Sequence, residues 1–415
     1  MSSVAIDLII IGIYVLLMIG VGVYCTRHTK NVDGFLLGGR NLGPWLSAFA
    51  YGTSFFSAVI FIGYAGKNGW NLGISSVWIG IANAVIGCLV SWLVLAKRTR
   101  RMTHVLDAKT MPEFFAKRYD DKGMSIFSAI VIFIFLTPYA ASVYMGLSYL
   151  FNAVFPNVPY IWWMVIMAGL TAIYLSLGGY MATVLTDFIQ GLIMIAGIVL
   201  VIFFVLSNEE VGGVQCGLTM LSVIPDVGKN LTSWYGGANW FDLLSLIVLT
   251  SLGTWGLPQM IHKFYTVKEG KSIKEAAVIS TLFAMLIGGG AYFIGTFGRL
   301  FLGNELPPEG FDAIMPIMLI KALPTVMMGI LLVLILSASM STLSSVVMTS
   351  SSSITIDLVK GHFAPNMTEK DTVGLMRILC IVFVALSFAI AAFKPNEIIT
   401  LMYFSWGTVA VKFIG

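Results

Sequence analysis

Residues 336–353 read LSASMSTLSSVVMTSSSS, directly after the apolar run 326–335. A membrane-embedded helix is thereby continued while being loaded with hydroxyls. Ala338, Ser341 and Thr342 stand at i, i+3 and i+4, and Ser341, Ser344 and Ser345 repeat the spacing, so these small residues share one helical face. A bilayer penalises polar groups that lack partners, so this face must look at another helix, a cavity or an ion. A lone hydroxyl ordinarily bonds back to its own helix or to a neighbouring one. Two overlapping triplets point beyond that.

Outward from this stretch, 58% of the 415 residues are hydrophobic and 11% are charged. That excludes an ordinary soluble domain and indicates an all-α polytopic membrane protein, a single transmembrane domain over residues 1–415. About eleven spans are expected, at 4–25, 44–66, 72–96, 124–151, 158–176, 182–206, 240–261, 276–302, 326–353, 373–393 and from 398 onward. Cys25, Cys88, Cys216 and Cys380 are scattered and have no metal-ligand spacing.

Basic residues alternate between loops. Those after spans one, three, seven and nine hold Arg27, Lys30 and Arg40, then Lys97 to Lys122, then Lys263 to Lys274, then Lys360, Lys370 and Arg377. The opposite loops hold little beyond Lys67, Lys229, Lys321 and Lys394. The positive-inside rule therefore places the amino terminus outside, and it accounts for the run 97–101 without a nucleic-acid partner. Loop 207–239 reads as a loose outer cap and 304–325 as short broken helices. The sequence stops at Gly415 within an apolar segment, so we expect carboxyl-terminal helices to be missing.

Two spans have weak centres. Span two gathers Gly52, Thr53 and Ser54 near mid-depth, and span seven holds Gly253, Gly256 and Pro258 within six positions. Each opens a group of five spans, and an odd-numbered group must enter the membrane from opposite sides. The expectation is an inverted pair, 44–206 and an incomplete 240–415, with 4–25 as an extra helix. Secondary transporters place substrate and ion sites at such paired interruptions. Asp187, in span six, is the one carboxylate read as lying well inside an apolar segment. No Lys or Arg reads as deep in any helix, so its expected partner is a free cation. Ser341, Ser344 and Ser345 lie at a compatible depth, and oxygen ligands suit a hard monovalent ion.

Five stretches, GFLLGGRNLGPW (34–45), TMPEFFAKRYDDK (110–122), GGYMATVLTDFIQ (178–190), GLPQMIHKFYTVKE (256–269) and SASMSTLSSVVMTSSSSITIDL (337–358), resemble the sodium/solute symporter family. That family includes sodium/proline, sodium/sugar, sodium/sialic acid and sodium/pantothenate carriers. The resemblance implies a LeuT-like five-plus-five inverted repeat. It implies a first sodium site from the carbonyls of Thr53, Phe56 and Ala338 with the side chains of Ser341 and Thr342. It also implies a second sodium site, found in some members, at Asp187, Ser341, Ser344 and Ser345.

Proline carriers have an aspartate at the position of Phe55, sugar carriers a glutamine at that of Ile60, and sialic acid carriers an arginine within the region 137–144, none of which stands here. By location, Ser54, Phe55, Ser57, Tyr139, Tyr144, Trp255 and Gln259 are expected to line an aromatic, weakly polar solute pocket. The function implied is a sodium-coupled symporter, with Na+ as coupling ion, importing an amino acid, carboxylate or vitamin-like solute across the cell membrane as a monomer. The rivals are a proton-coupled or uncoupled carrier and a transporter-like sensor. An enzyme is not expected, because His28, His104, His262 and His362 fall near helix ends rather than in a catalytic cluster.

Overall fold

The computed structural model describes residues 3–25, 31–268, 270–393 and 397–414. Arg27, His28, Lys30, Lys394 and Gly415, which entered the charge and end arguments, lie outside the described residues. The described chain is helical throughout, with a single bridge between Leu42 and Val267. Apolar surroundings require this, since a helix satisfies its backbone groups within one segment.

Among the described residues, seven helices are long and apolar enough to cross a membrane, or eight if the bent pair Gly237–Gly256 and Pro258–Thr266 is one span. This count differs from the expected eleven partly because Val59–Val105 is taken as one stretch and the apolar helix Tyr160–Ile173 is short. Val59–Val105 turns at Gly73, with φ 57°, and Tyr160–Ser207 turns at Gly179, with φ 58° and ψ −155°. Only glycine adopts such angles without strain.

The hydroxyl-bearing helix Met328–Ser352 is buried along almost its whole length. It packs against Ser3–Cys25, Lys122–Val154 and the Tyr160–Ser207 stretch, and against the first broken helix, Pro44–Phe55. Between apolar helices in lipid, association depends on close approach of small residues. At the contact of Ala65–Leu72 with Gly290–Gly295, a methyl added to Gly69 would overlap the Gly295 carbonyl. Gly69→Ala should therefore destabilise the fold by about 1–3 kcal/mol, the usual cost of overpacking. A lower fraction of monodisperse protein in size exclusion, and a lower unfolding temperature, would show it.

Loop 207–239 is more ordered than its composition suggests. It contains the helices Val214–Ser222 and Gly228–Leu231, and Trp78 Nε1 donates to the Trp234 carbonyl at 2.9 Å. The second loop has the expected short pieces, Phe311–Ala313 and Ile314–Ala322. There Asp312 is buried and its carboxylate accepts the Ile398 N–H at 3.1 Å.

Burial raises the Asp312 carboxyl from 3.8 to about 6. Because the folded state holds the proton more tightly than the unfolded chain, stability falls as pH rises from about 4 to about 6 and levels above that. Asp312→Asn, which keeps an acceptor for Ile398, should flatten this slope. The difference is on the order of 2 kcal/mol, readable from unfolding at pH 4.5 and pH 7.5.

Candidate ion and solute site

Pro44–Phe55 ends where Phe56 leaves the helix at φ −104° and ψ 102°. Ser57 supplies the cause: its hydroxyl accepts the Val59 N–H at 3.3 Å, a local bond that competes with the helical ladder. The Phe56 N–H closes the last turn on the Gly52 carbonyl at 3.3 Å. The next carbonyls are met by side chains of the facing helix instead. Ser341 Oγ donates to the Thr53 carbonyl at 3.1 Å and lies 3.1 Å from the Ala338 carbonyl. Thr342 Oγ1 lies 3.4 Å from the Ser54 carbonyl and 3.5 Å from that of Thr53. Of the five residues expected around the first ion, Thr53, Ala338, Ser341 and Thr342 thus converge, and Phe56 forms the break itself.

The second broken helix interrupts at Leu257, which is extended at φ −71° and ψ 122°. Pro258 disfavours a helical residue before it and starts the next helix well, since its missing N–H is not needed there. The two halves bend by 49°.

The expected solute residues divide. Ser54 Oγ lies 2.8 Å from Ser345 Oγ, which ties it to the hydroxyl-bearing helix. The Tyr139 hydroxyl faces those of Ser57 and Thr342. Phe55 and Phe56 pack with ring centroids 4.7 Å apart and planes tilted by 34°. Trp255 Nε1 donates to the Ile86 carbonyl at 3.0 Å, fixing the indole against the helix after Gly73. Gln259 is buried, and both ends of its amide lack a hydrogen-bond partner among the described residues. Tyr144 goes elsewhere: five positions beyond Tyr139, it is rotated about 140° around the helix, and it faces Thr171.

The second ion set has an occupant that was not foreseen. Lys263 Nζ lies 3.5 Å from Asp187 Oδ2, with side chains 2% and 0% exposed. It also donates to Ser345 Oγ at 3.0 Å and sits 5.2 Å from the Tyr180 ring. The expectation that no basic side chain lies deep in a helix is therefore corrected. Ser344 does not join this group through its hydroxyl, which bonds back to the Ser341 carbonyl at 2.9 Å. Lys263 reads as a loop charge because Pro258–Thr266 ends three residues later. A usable signal was present: Gln259 and Lys263 stand at i and i+4, on one face with the broken segment. Asp187 is also not the only buried acid. Asp357 accepts from Thr110 Oγ1 at 2.8 Å, near the basic end of the bundle.

At that end the backbone joins the two broken helices. The Leu42 N–H donates to the Thr266 carbonyl at 3.0 Å, and the Lys268 N–H donates to the Leu42 carbonyl at 2.9 Å. Arg100 Nε donates to the Val267 carbonyl at 2.6 Å beside them.

This geometry has relatives. The profile of the Sodium:solute symporter family matches residues 35–414. The chain is 33% identical to the sodium/proline symporter of Haemophilus influenzae, over 96% of this chain and 80% of that protein. It is 30% identical to the osmoregulated proline transporter OpuE of Bacillus subtilis, over 97% and 81%. In fold it is similar to a Na+-coupled sialic acid symporter, with a TM-score of 0.81 at 17% identity, covering 98% of this chain and 86% of the other. MhsT in complex with L-phenylalanine aligns with a TM-score of 0.59 at 14% identity, over 89% and 86%. These relationships and the apolar helices fix the class. The chain belongs to the sodium:solute symporter family, as a multi-pass, LeuT-like membrane transporter whose coupling ion is sodium.

Proposed function

We propose that this protein imports a small amino-acid-like solute by sodium-driven alternating access across the plasma membrane. In this reading it works as a monomer with its amino terminus outside. Its eleven spans form two inverted groups of five after one extra helix. The turns at Gly73 and Gly179 support that count, since each divides a long helical stretch in two.

The observation that carries the reading is the meeting of Ser341 Oγ with the Thr53 and Ala338 carbonyls, at 3.1 Å each, beside the break. Carbonyl and hydroxyl oxygens at an interrupted helix suit a hard monovalent cation. Sodium bound there joins the first broken helix to the hydroxyl-bearing one. It thereby favours the state in which the solute site next to it is assembled. Each charge carried inward adds about 2.3 kcal/mol per 100 mV of membrane potential.

For the solute, Phe55 and Phe56 provide an apolar wall, and the unpartnered Gln259 amide provides a polar contact. Buried polar groups normally have partners, and a bound solute is the partner this one invites. Relatives named for proline transport support an amino acid.

The test is uptake of radiolabelled proline into proteoliposomes under an inward sodium gradient. A parallel sodium-dependent thermal-shift screen of amino acids, carboxylates, vitamins and sugars covers the other solutes. Sodium-dependent uptake or stabilisation by an amino acid is expected. A response confined to sugars, or uptake indifferent to sodium, would overturn the proposal.

A further inference from the structure

The buried pair Asp187 and Lys263 stands where the resemblance to the symporter family implies a second sodium site. Lys263 Nζ lies 3.5 Å from Asp187 Oδ2 and 3.0 Å from Ser345 Oγ, so the ammonium already touches two of the four expected ligands. The others are turned away: the Ser344 hydroxyl bonds to the Ser341 carbonyl at 2.9 Å, and Ser341 serves the break at Thr53. Neither Asp187 oxygen has a hydrogen-bond partner among the described residues, so the ammonium is its nearest source of compensation. The Tyr180 ring, 5.2 Å away, covers the cation from another side. The cavity bounded by Gln259, Lys263 and Ser345 holds about 10 Å³, room for at most one water.

We propose that the Lys263 ammonium is a tethered cation that takes the place of a second sodium ion, so that this transporter binds one sodium per cycle. The inference rests on the first site described under the proposed function. A sodium ion added about 4 Å from the ammonium would be repelled strongly enough to lose about three orders of magnitude in affinity. The chain instead supplies a basic side chain of its own at that position. Lys263 then links three elements by its own length: the second broken helix, the helix of Asp187 and the hydroxyl-bearing helix.

The measurement is equilibrium binding of radioactive sodium to the purified full-length protein, with choline replacing sodium in the titration. The wild type should bind one ion per chain, and Ser341→Ala should weaken that binding. Lys263→Ala should bind two ions per chain with a Hill coefficient above one. Lys263→Ala combined with Asp187→Asn should return to one, and Lys263→Arg should stay at one.

Two ions per chain in the wild type would overturn the inference and leave the first site standing. So would a folded Lys263→Ala protein that still binds a single ion. Binding that Ser341→Ala does not weaken would instead overturn the first-site reading, and this inference with it. If Lys263→Ala fails to yield monodisperse protein, the wild-type count and the Lys263→Arg count decide the matter.

Discussion

Replacing Ser341 by alanine will raise the sodium concentration for half-maximal uptake by roughly 10- to 100-fold while leaving folding nearly unchanged. The magnitude follows from losing one oxygen toward a charged partner, about 1.5–3 kcal/mol. The hydroxyl is also the group that bridges the Thr53 and Ala338 carbonyls, at 3.1 Å each, so no other side chain replaces its position. Ser339 is the internal control. Its hydroxyl bonds back to the Ile335 carbonyl at 2.7 Å, on its own helix. Ser339→Ala should shift the sodium dependence by less than about twofold, since it loses only a local bond. Sodium titrations of uptake for both variants check the pair; equal shifts would show that the hydroxyls act through helix packing and not through the ion.

The largest effect on stability belongs to the buried ion pair. Lys263→Met leaves Asp187 in an interior with no counter-charge, and Asp187→Asn leaves the ammonium likewise. Breaking such a pair from one side costs about 3–5 kcal/mol, whereas replacing both partners by neutral groups of similar size is often close to neutral. In choline medium each single variant should therefore unfold well below the wild type, and the double variant should recover most of the loss. The coupling comes from a double-mutant cycle on the unfolding midpoints. Additive losses would mean that the two groups, 3.5 Å apart in the structure, do not interact energetically.

The fold class was legible in the sequence because lipid leaves the backbone few options. Apolar length, the Gly and Pro interruptions and the hydroxyl spacing located both broken helices. The meeting of Thr53 with Ala338 and Ser341 came instead from the resemblance to the symporter family. Side-chain direction near helix ends was less legible. Lys263 reads as a loop charge from its position, yet its helix continues to Thr266 and turns the ammonium inward. Tyr144 reads as a neighbour of Tyr139, but the helical rotation between them sends it to Thr171. Gly73 and Gly179, where long helical stretches are interrupted, fall at or beside the gaps read between spans 44–66 and 72–96 and between spans 158–176 and 182–206.

The seam at the basic end is made by main-chain atoms, with Leu42 giving and receiving one bond each to the strand-like residues after the second broken helix. Main-chain atoms are the same in every residue but proline. Mutational drift at Leu42, Thr266 and Lys268 can therefore change shape and charge along this edge while the clasp itself persists. The two interrupted helices are in that sense handed down as one joined unit, held by chemistry that substitution scarcely reaches.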